Sequence, residues 1–222
     1  NTEVGIPLAS TAVDTNGKLY AASFDTSTGV STLYTVNPET LSVSTVGQSS
    51  IAYMDMAYAP NMGYILAPYF NYLVLVDVTT GEYIGAFDWS GGAAGDLVGI
   101  TYYGSQYNSS YGTYQDFFLV LDDRGNVYLE AFIDAGSSGI GYFNGPEAGY
   151  VTNIGDALDL PYFQGFYYDG SYTYWTRFNQ ADDEVELIVW DCDNSDAVFN
   201  LGTFPAGEWP VSGLYSANST AG

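Results

Sequence analysis

Carboxylates and phenols are the groups with chemistry to offer in this chain. Its 222 residues hold 26 Asp and Glu, 22 Tyr, one Cys and no His. Without histidine the commonest general base, the commonest zinc ligand and the Ser-His-Asp and Cys-His arrangements are all missing, so any enzyme reading must rest on carboxylates. One arrangement is the segment Asp191-Cys192-Asp193-Asn194-Ser195-Asp196, which sets oxygen atoms at alternate positions as a calcium loop does. Its ligand candidates are Asp191, Asp193, Ser195 and Asp196. It departs from the EF-hand at the sixth position, Asp196 in place of glycine, and at the twelfth, Gly202 in place of a bidentate glutamate. The segment therefore reads first as a turn whose side chains cap backbone amides, with calcium as the one cofactor left open and no other expected. Glycoside hydrolysis instead needs two carboxyl groups ~5–9.5 Å apart, one raised in pKa and one ionised. Asp55 is the catalytic candidate by position, and the equivalent places in the other repeats hold Ser10, Gly99, Gly165 and Gly213. Glu184 and Glu186 share a strand face, but Asp182 and Asp183 beside them mark a solvated acidic edge.

The phenols cluster more tightly. Tyr102, Tyr103, Tyr107, Tyr111 and Tyr114 lie within one stretch of Ser, Gly, Asn, Gln and Thr, which reads as a polar loop. Tyrosine set among small polar residues is the composition of antibody combining sites: the ring gives a large rigid contact with a hydrogen-bonding tip, and the small residues adapt. The same groups stack on sugar rings. A second, Gly-rich insertion from Gly136 to Tyr150 brings Tyr142 beside this loop, and Tyr168 and Tyr172 follow in the next unit. The competing structural reading is that tyrosines fill sheet faces. The tryptophans (Trp89, Trp175, Trp190, Trp209) read as packing residues, and Cys192, with no basic neighbour in sequence, as inert.

Net charge removes whole classes of partner. The three bases, Lys18, Arg124 and Arg177, leave a formal charge of −23, and nucleic acid and anionic membranes both require clustered cations. No apolar run of about 18 residues is present, so no membrane insertion is expected. The opening residues lack a basic and apolar leader, so any signal peptide is expected to be upstream or removed. Hydrophobic residues make up 47% of the chain, enough for a core, while charged residues are 13%, about half the ordinary ~25%. Such a surface, with three sites for trypsin-like proteases, points to a secreted or cell-surface protein in a proteolytic setting. One cysteine allows no internal disulfide.

The elements that must position these groups come in repeats. Ser10-Thr11-Ala12-Val13, Asp55-Met56-Ala57-Tyr58, Gly99-Ile100-Thr101-Tyr102, Gly165-Phe166-Tyr167-Tyr168 and Gly213-Leu214-Tyr215 recur at spacings of 45, 44, 66 and 48 residues. A second series interleaves with them: Thr2-Glu3-Val4-Gly5, Ser44-Thr45-Val46-Gly47, Glu82-Tyr83-Ile84-Gly85, Thr152-Asn153-Ile154-Gly155 and Phe199-Asn200-Leu201-Gly202. Between them run Val, Ile, Tyr and Phe segments split by Gly, Asn, Asp and Pro turns, the hairpin signature. Four short strands every ~45 residues match a propeller blade. The expected fold is all-β: a β-propeller of about four to five four-stranded blades, or a fragment of a larger one, with a β-sandwich as the alternative. The units run approximately over 6–50, 51–92, 93–158 and 159–207. Partial strands at both ends, Thr2 to Gly5 and Val211 to Ser216, either complete one further partial blade or mark a piece of a larger repeat protein, with neighbouring domains or subunits as the other source of completion.

Leu33-Tyr34-Thr35-Val36-Asn37-Pro38-Glu39-Thr40 and Val74-Leu75-Val76-Asp77-Val78-Thr79-Thr80-Gly81 each precede a strand ending in Val-Gly or Ile-Gly. These stretches resemble the repeats of bacterial extracellular β-propellers. The resemblance implies a domain of a large Gram-positive-type cell-surface chain and carries no functional residues with it. The expected function is a non-catalytic binding or adhesion module for a host or environmental protein, glycoprotein or glycan, engaged through the Tyr-rich loops. The alternatives are a carbohydrate-active enzyme using carboxylates near Asp55, and a structural or assembly domain.

Overall fold

The computed structural model of the chain describes residues 6, 8–88, 95–134, 140–142, 149–153, 163–179, 182–191 and 198–205. Within them all regular structure is β. Blade 1 comprises β1 (Ser10–Val13), β2 (Leu19–Asp25), β3 (Val30–Val36) and β4 (Val43–Ser49), and blade 2 comprises β5 (Ala57–Ala59), β6 (Tyr64–Tyr69), β7 (Tyr72–Asp77) and β8 (Tyr83–Asp88). Blade 3 holds β9 (Leu97–Asn108), β10 (Thr113–Asp122) and β11 (Asn126–Asp134), with a split fourth strand, β12 (Ile140–Tyr142) and β13 (Gly149–Asn153), both pairing β11. Blade 4 is β14 (Phe163–Tyr168), β15 (Tyr172–Asn179), β16 (Glu184–Asp191) and β17 (Val198–Pro205). All pairings are antiparallel between chain neighbours, β13 excepted, and the first strands pack in sequence, β1 beside β5, β5 beside β9 and β9 beside β14. Consecutive meanders stacked in chain order are the blades of a β-propeller. A two-layer sandwich is excluded, because the strands form four sheets of consecutive members.

Alternate residues of the inner and middle strands of blades 2 and 3 serve two different cores, since successive side chains point to opposite sheet faces. Phe118 and Val120 enter the core between blades 2 and 3, with Leu66, Leu73 and Leu75. Their neighbours Leu119 and Leu121 enter the core between blades 3 and 4, with Trp175, Ile188 and Trp190. This double duty explains why the middle strands read as continuous apolar runs rather than alternating ones. Each of the three described blade junctions adds a polar link from a first strand, buried in the first two and partly buried in the third. Ser10 Oγ donates to the Tyr53 carbonyl (3.0 Å), the Ile100 amide donates to Asp55 Oδ2 (2.9 Å), and the Tyr168 amide donates to Thr101 Oγ1 (2.9 Å).

Both repeat series have a structural meaning. Members of the first lie on or lead into β1, β5, β9 and β14. In β4, β8 and β17 the second series marks a β-bulge, where Val46, Ile84 and Leu201 are the extra, unpaired residues, each followed by a glycine (Gly47, Gly85, Gly202). A bulge twists an outermost strand out of register and discourages pairing with another chain, a device suited to a chain with almost no lysine to guard its edges.

The acids act mainly in turns. Asp14, Asp25, Asp77, Asp122 and Asp169 each accept the amide two residues on, as does Asn37. The Thr79 hydroxyl and amide hold the Asp77 carboxyl below its ordinary value.

One expectation is corrected here. The stretch from Tyr102 to Tyr114 is an antiparallel hairpin rather than a loop, with β9 and β10 paired from Leu97–Asp122 out to Asn108–Thr113. Tyr and Thr suit a pleated ladder. The reversal needs only Asn108 to Gly112, where the Gly112 amide donates to the Asn108 carbonyl and Gly112 takes a φ of 71°. The terminal segments Thr2 to Gly5 and Val211 to Ser216 lie outside the described residues.

Candidate functional site

The β9–β10 hairpin stands out because it outgrows its counterparts. In blade 2 the corresponding ladder ends at Ala59–Tyr64, and the turn after it reaches the level of Asp116: the Asn61 amide donates to Asp116 Oδ2 (3.0 Å) and Asn61 Nδ2 to Asp116 Oδ1 (2.6 Å). Beyond Asp116 the hairpin continues through Gln115–Gln106, Tyr114–Tyr107 and Thr113–Asn108. At about 3.4 Å per residue this is roughly 10 Å of ladder, capped by a turn. It forms a finger.

Tyr107 and Tyr114 are cross-strand partners on the finger, with rings 5.5 Å apart at 72°, edge to face. With Tyr111 in the turn they are 50–55% exposed. On the other hairpin face Asn108 Nδ2 donates to Gln115 Oε1 (2.9 Å) and ties the two strands near the tip. The pairing geometry, the side-chain tie and the short turn together make the tip a formed element rather than a free loop.

A second aromatic group occupies the seam between blades 3 and 4. Tyr103 is the bulge residue of β9, squeezed between the Tyr102–Phe118 and Gly104–Phe117 pairs, and its ring lies 4.9 Å from that of Tyr168. Tyr172, at the start of β15, is exposed. Nearby, the Tyr174 hydroxyl donates to Asp169 Oδ2 (2.8 Å), a bond that pushes its pKa up to about 12. Tyr102 is the member that turns inward. Its ring packs edge to face on Phe118 at 5.7 Å, and burial raises its hydroxyl above the ordinary value. Tyr142 pairs with Phe132 in β12, at the register level of Asp116, but its side chain lies outside the described residues.

Asp116 and Asn61, absent from any sequence motif, brace the finger. Asp116 is fully buried, and burial pushes its carboxyl up against the opposing pull of the hydrogen bonds from Asn61. Removing the side-chain donor with Asn61→Ala should raise hydrogen exchange of the amides from 105 to 115 about tenfold. That corresponds to the ~1.5 kcal/mol of a hydrogen bond to a charged group. Blades 1 and 4 should exchange as before; an unchanged finger would show that the bracket does not hold it.

The carboxylate candidates are placed differently. Asp55 is 1% exposed, and its two oxygens accept amides, Oδ1 from Met56 and Oδ2 from Ile100, both at 2.9 Å. Asp191 ends β16, while Asp193, Ser195 and Asp196 lie outside the described residues. Among the described residues no group of three or more His, Cys, Asp or Glu side chains is placed to hold a metal ion.

No family model and no curated protein matches the chain. Among solved structures it is similar to TolB from Acinetobacter baumannii, at 13% identity over 88% of this chain and with a TM-score of 0.49. It is also similar to the β-propeller domain of the Trilobed protease from Pyrococcus furiosus, which has an open velcro topology, at 13% identity over 88% of this chain and 71% of that one, with a TM-score of 0.38. The chain spans 43% of the TolB chain. The propeller assignment itself rests on the strand order and blade junctions of this molecule: four described blades, one of them carrying a tyrosine finger.

Proposed function

We propose that the chain is a non-catalytic binding module of a secreted or cell-surface protein, which takes a protein or glycoprotein ligand on the β9–β10 finger. The observation that carries this reading is the set of three half-exposed tyrosines at the tip of a hairpin that extends past its neighbours and is braced at its base by Asn61 and Asp116. Tyrosine side chains lose little entropy on docking because they have few rotatable bonds, and the Tyr107–Tyr114 contact holds two of them in place beforehand. Asp55 supports the non-catalytic reading, since both its oxygens are bound to backbone amides inside a blade junction. Scarce Lys and Arg support the extracellular setting, and no cofactor is part of the proposal.

The test is the triple variant Tyr107→Ala, Tyr111→Ala, Tyr114→Ala. It should lose capture of ligand from mucosal secretions at least tenfold, as expected for removal of an aromatic hot spot. Its melting temperature should stay within a degree or two of wild type, because exposed rings contribute little to the fold. Undiminished capture would sink the proposal.

A further inference from the structure

The finger is uncharged on a strongly anionic molecule. No Asp, Glu, Lys or Arg occurs between Asp96 and Asp116, in a chain of net charge −23. The first-to-second and third-to-fourth strand turns lie at the same end of each meander as the finger. In blades 1, 2 and 4 these turns bring Asp14, Glu39, Asp77, Glu82 and Asp169 to that end, against one described cation, Lys18. An uncharged aromatic tip thus shares one end of the sheets with these carboxylates, and interfaces commonly pair an uncharged aromatic centre with charged surroundings that stay wet. Docking on the tip alone would desolvate tyrosines and bury no charged side chain of the finger, which has none between Asp96 and Asp116. The screening length is about 8 Å at physiological salt and several times longer at low salt, so the net charge of −23 biases encounter most at low salt. That charge attracts a cationic partner and repels an anionic one. The tyrosines favour the same sign, because the face of a phenol ring attracts ammonium and guanidinium groups. The molecule contains an instance of this contact, with Lys18 Nζ 4.8 Å from the centre of the Tyr20 ring.

We propose that the partner of the finger is a basic protein segment, in which lysines or arginines flank an apolar or aromatic centre that contacts Tyr107, Tyr111 and Tyr114. This inference rests on the binding reading above and adds the chemistry of the ligand. The experiment probes an array of randomised peptides with the full chain at low and high salt, using wild type, the triple tyrosine variant and Glu39→Gln with Glu82→Gln. The expected result is enrichment of Lys and Arg among bound peptides, with signals about tenfold weaker at high salt, as charge-steered association requires. The tyrosine variant, whose net charge is unchanged, should lose the same peptides tenfold or more. The double glutamine variant should weaken binding a few-fold at low salt and leave it unchanged at high salt. Tyrosine-dependent binding of neutral or acidic peptides would overturn the inference and leave the binding reading standing. Basic peptides held equally by the tyrosine variant would reveal unspecific attraction and overturn it too. Absence of any tyrosine-dependent binding would count against both.

Discussion

Gly47→Ala will lower the stability of the chain by about 3 kcal/mol or more, at the upper end of what an added methyl does in a packed interior. A Cβ on Gly47 would overlap the carbonyl oxygen of Thr80 and stand 2.7 Å from its carbonyl carbon. The obstruction is backbone, in the turn between β7 and β8, so no side-chain rotation can relieve it. The contact is reciprocal: a Cβ on Gly81 would lie 2.9 Å from the backbone of Gly47, and Gly81 also takes a φ of 71°. The outer strand of blade 1 thus lies directly on the turn of blade 2, and the Tyr53 hydroxyl, donating to the Gly81 carbonyl at 3.2 Å, fastens the same junction. The control is Gly85→Ala. Gly85 holds the same bulge position in β8, yet nothing lies within 4 Å of its Cβ position. It should change stability by about 0.5 kcal/mol or less, as substitutions away from close contacts do. Urea denaturation of both variants measures the difference, and equal midpoints would show that blades 1 and 2 are not packed this closely.

Those two glycines show how far the sequence can be read. Val46-Gly47 and Ile84-Gly85 are one repeated motif, and the repetition discloses the outer strand and its bulge. It does not disclose that one glycine faces a neighbouring carbonyl and the other open space, because that depends on how adjacent blades meet. The strand pattern is legible where Asp and Asn turns punctuate apolar runs, as in β2, β3, β7 and β16. It fails at β6. Pro68 argues against a central strand, but β5 is so short that its pairing with β6 stops at Leu66, so the missing amide of Pro68 costs no ladder bond. The turn after β6 hides as well. Phe70, not glycine or asparagine, takes the left-handed conformation there with φ 52°, and its carbonyl accepts the Leu97 amide. The finger was legible in composition and not in shape. Its tyrosines read as a contact surface by composition alone, whereas the pairing of Tyr107 with Tyr114 and the bracket from Asn61 depend on register and on a different blade.

Asp55→Ala will cost about 2–4 kcal/mol, the second large effect expected of a single substitution. Asp55 leads into β5, near where a catalytic carboxylate of a propeller would stand, and both its oxygens are held by backbone amides. Asp55 joins blade 2 to the Ile100 amide of blade 3 and closes on the Met56 amide. Alanine would leave two buried amides without their acceptor, each at about 1–3 kcal/mol. Asp55→Asn retains one acceptor oxygen but turns an amino group toward the other amide, so its loss should be roughly half as large. The links at the neighbouring junctions set the scale. Thr101→Val removes the Thr101 acceptor of a partly buried donor, the Tyr168 amide, and should cost about 1–2 kcal/mol. Ser10→Ala leaves only the Tyr53 carbonyl short of a donor and should cost about 1 kcal/mol or less, since a carbonyl tolerates under-satisfaction better than an amide. A catalytic carboxylate predicts the opposite sign, because active-site groups are commonly held at the expense of stability and their neutral replacements often stabilise the fold. Denaturation midpoints lowered most by Asp55→Ala, less by Asp55→Asn and Thr101→Val, and least by Ser10→Ala would identify Asp55 as a bond between blades. A stable Asp55→Asn that abolishes turnover on a glycan panel would return the residue to chemistry.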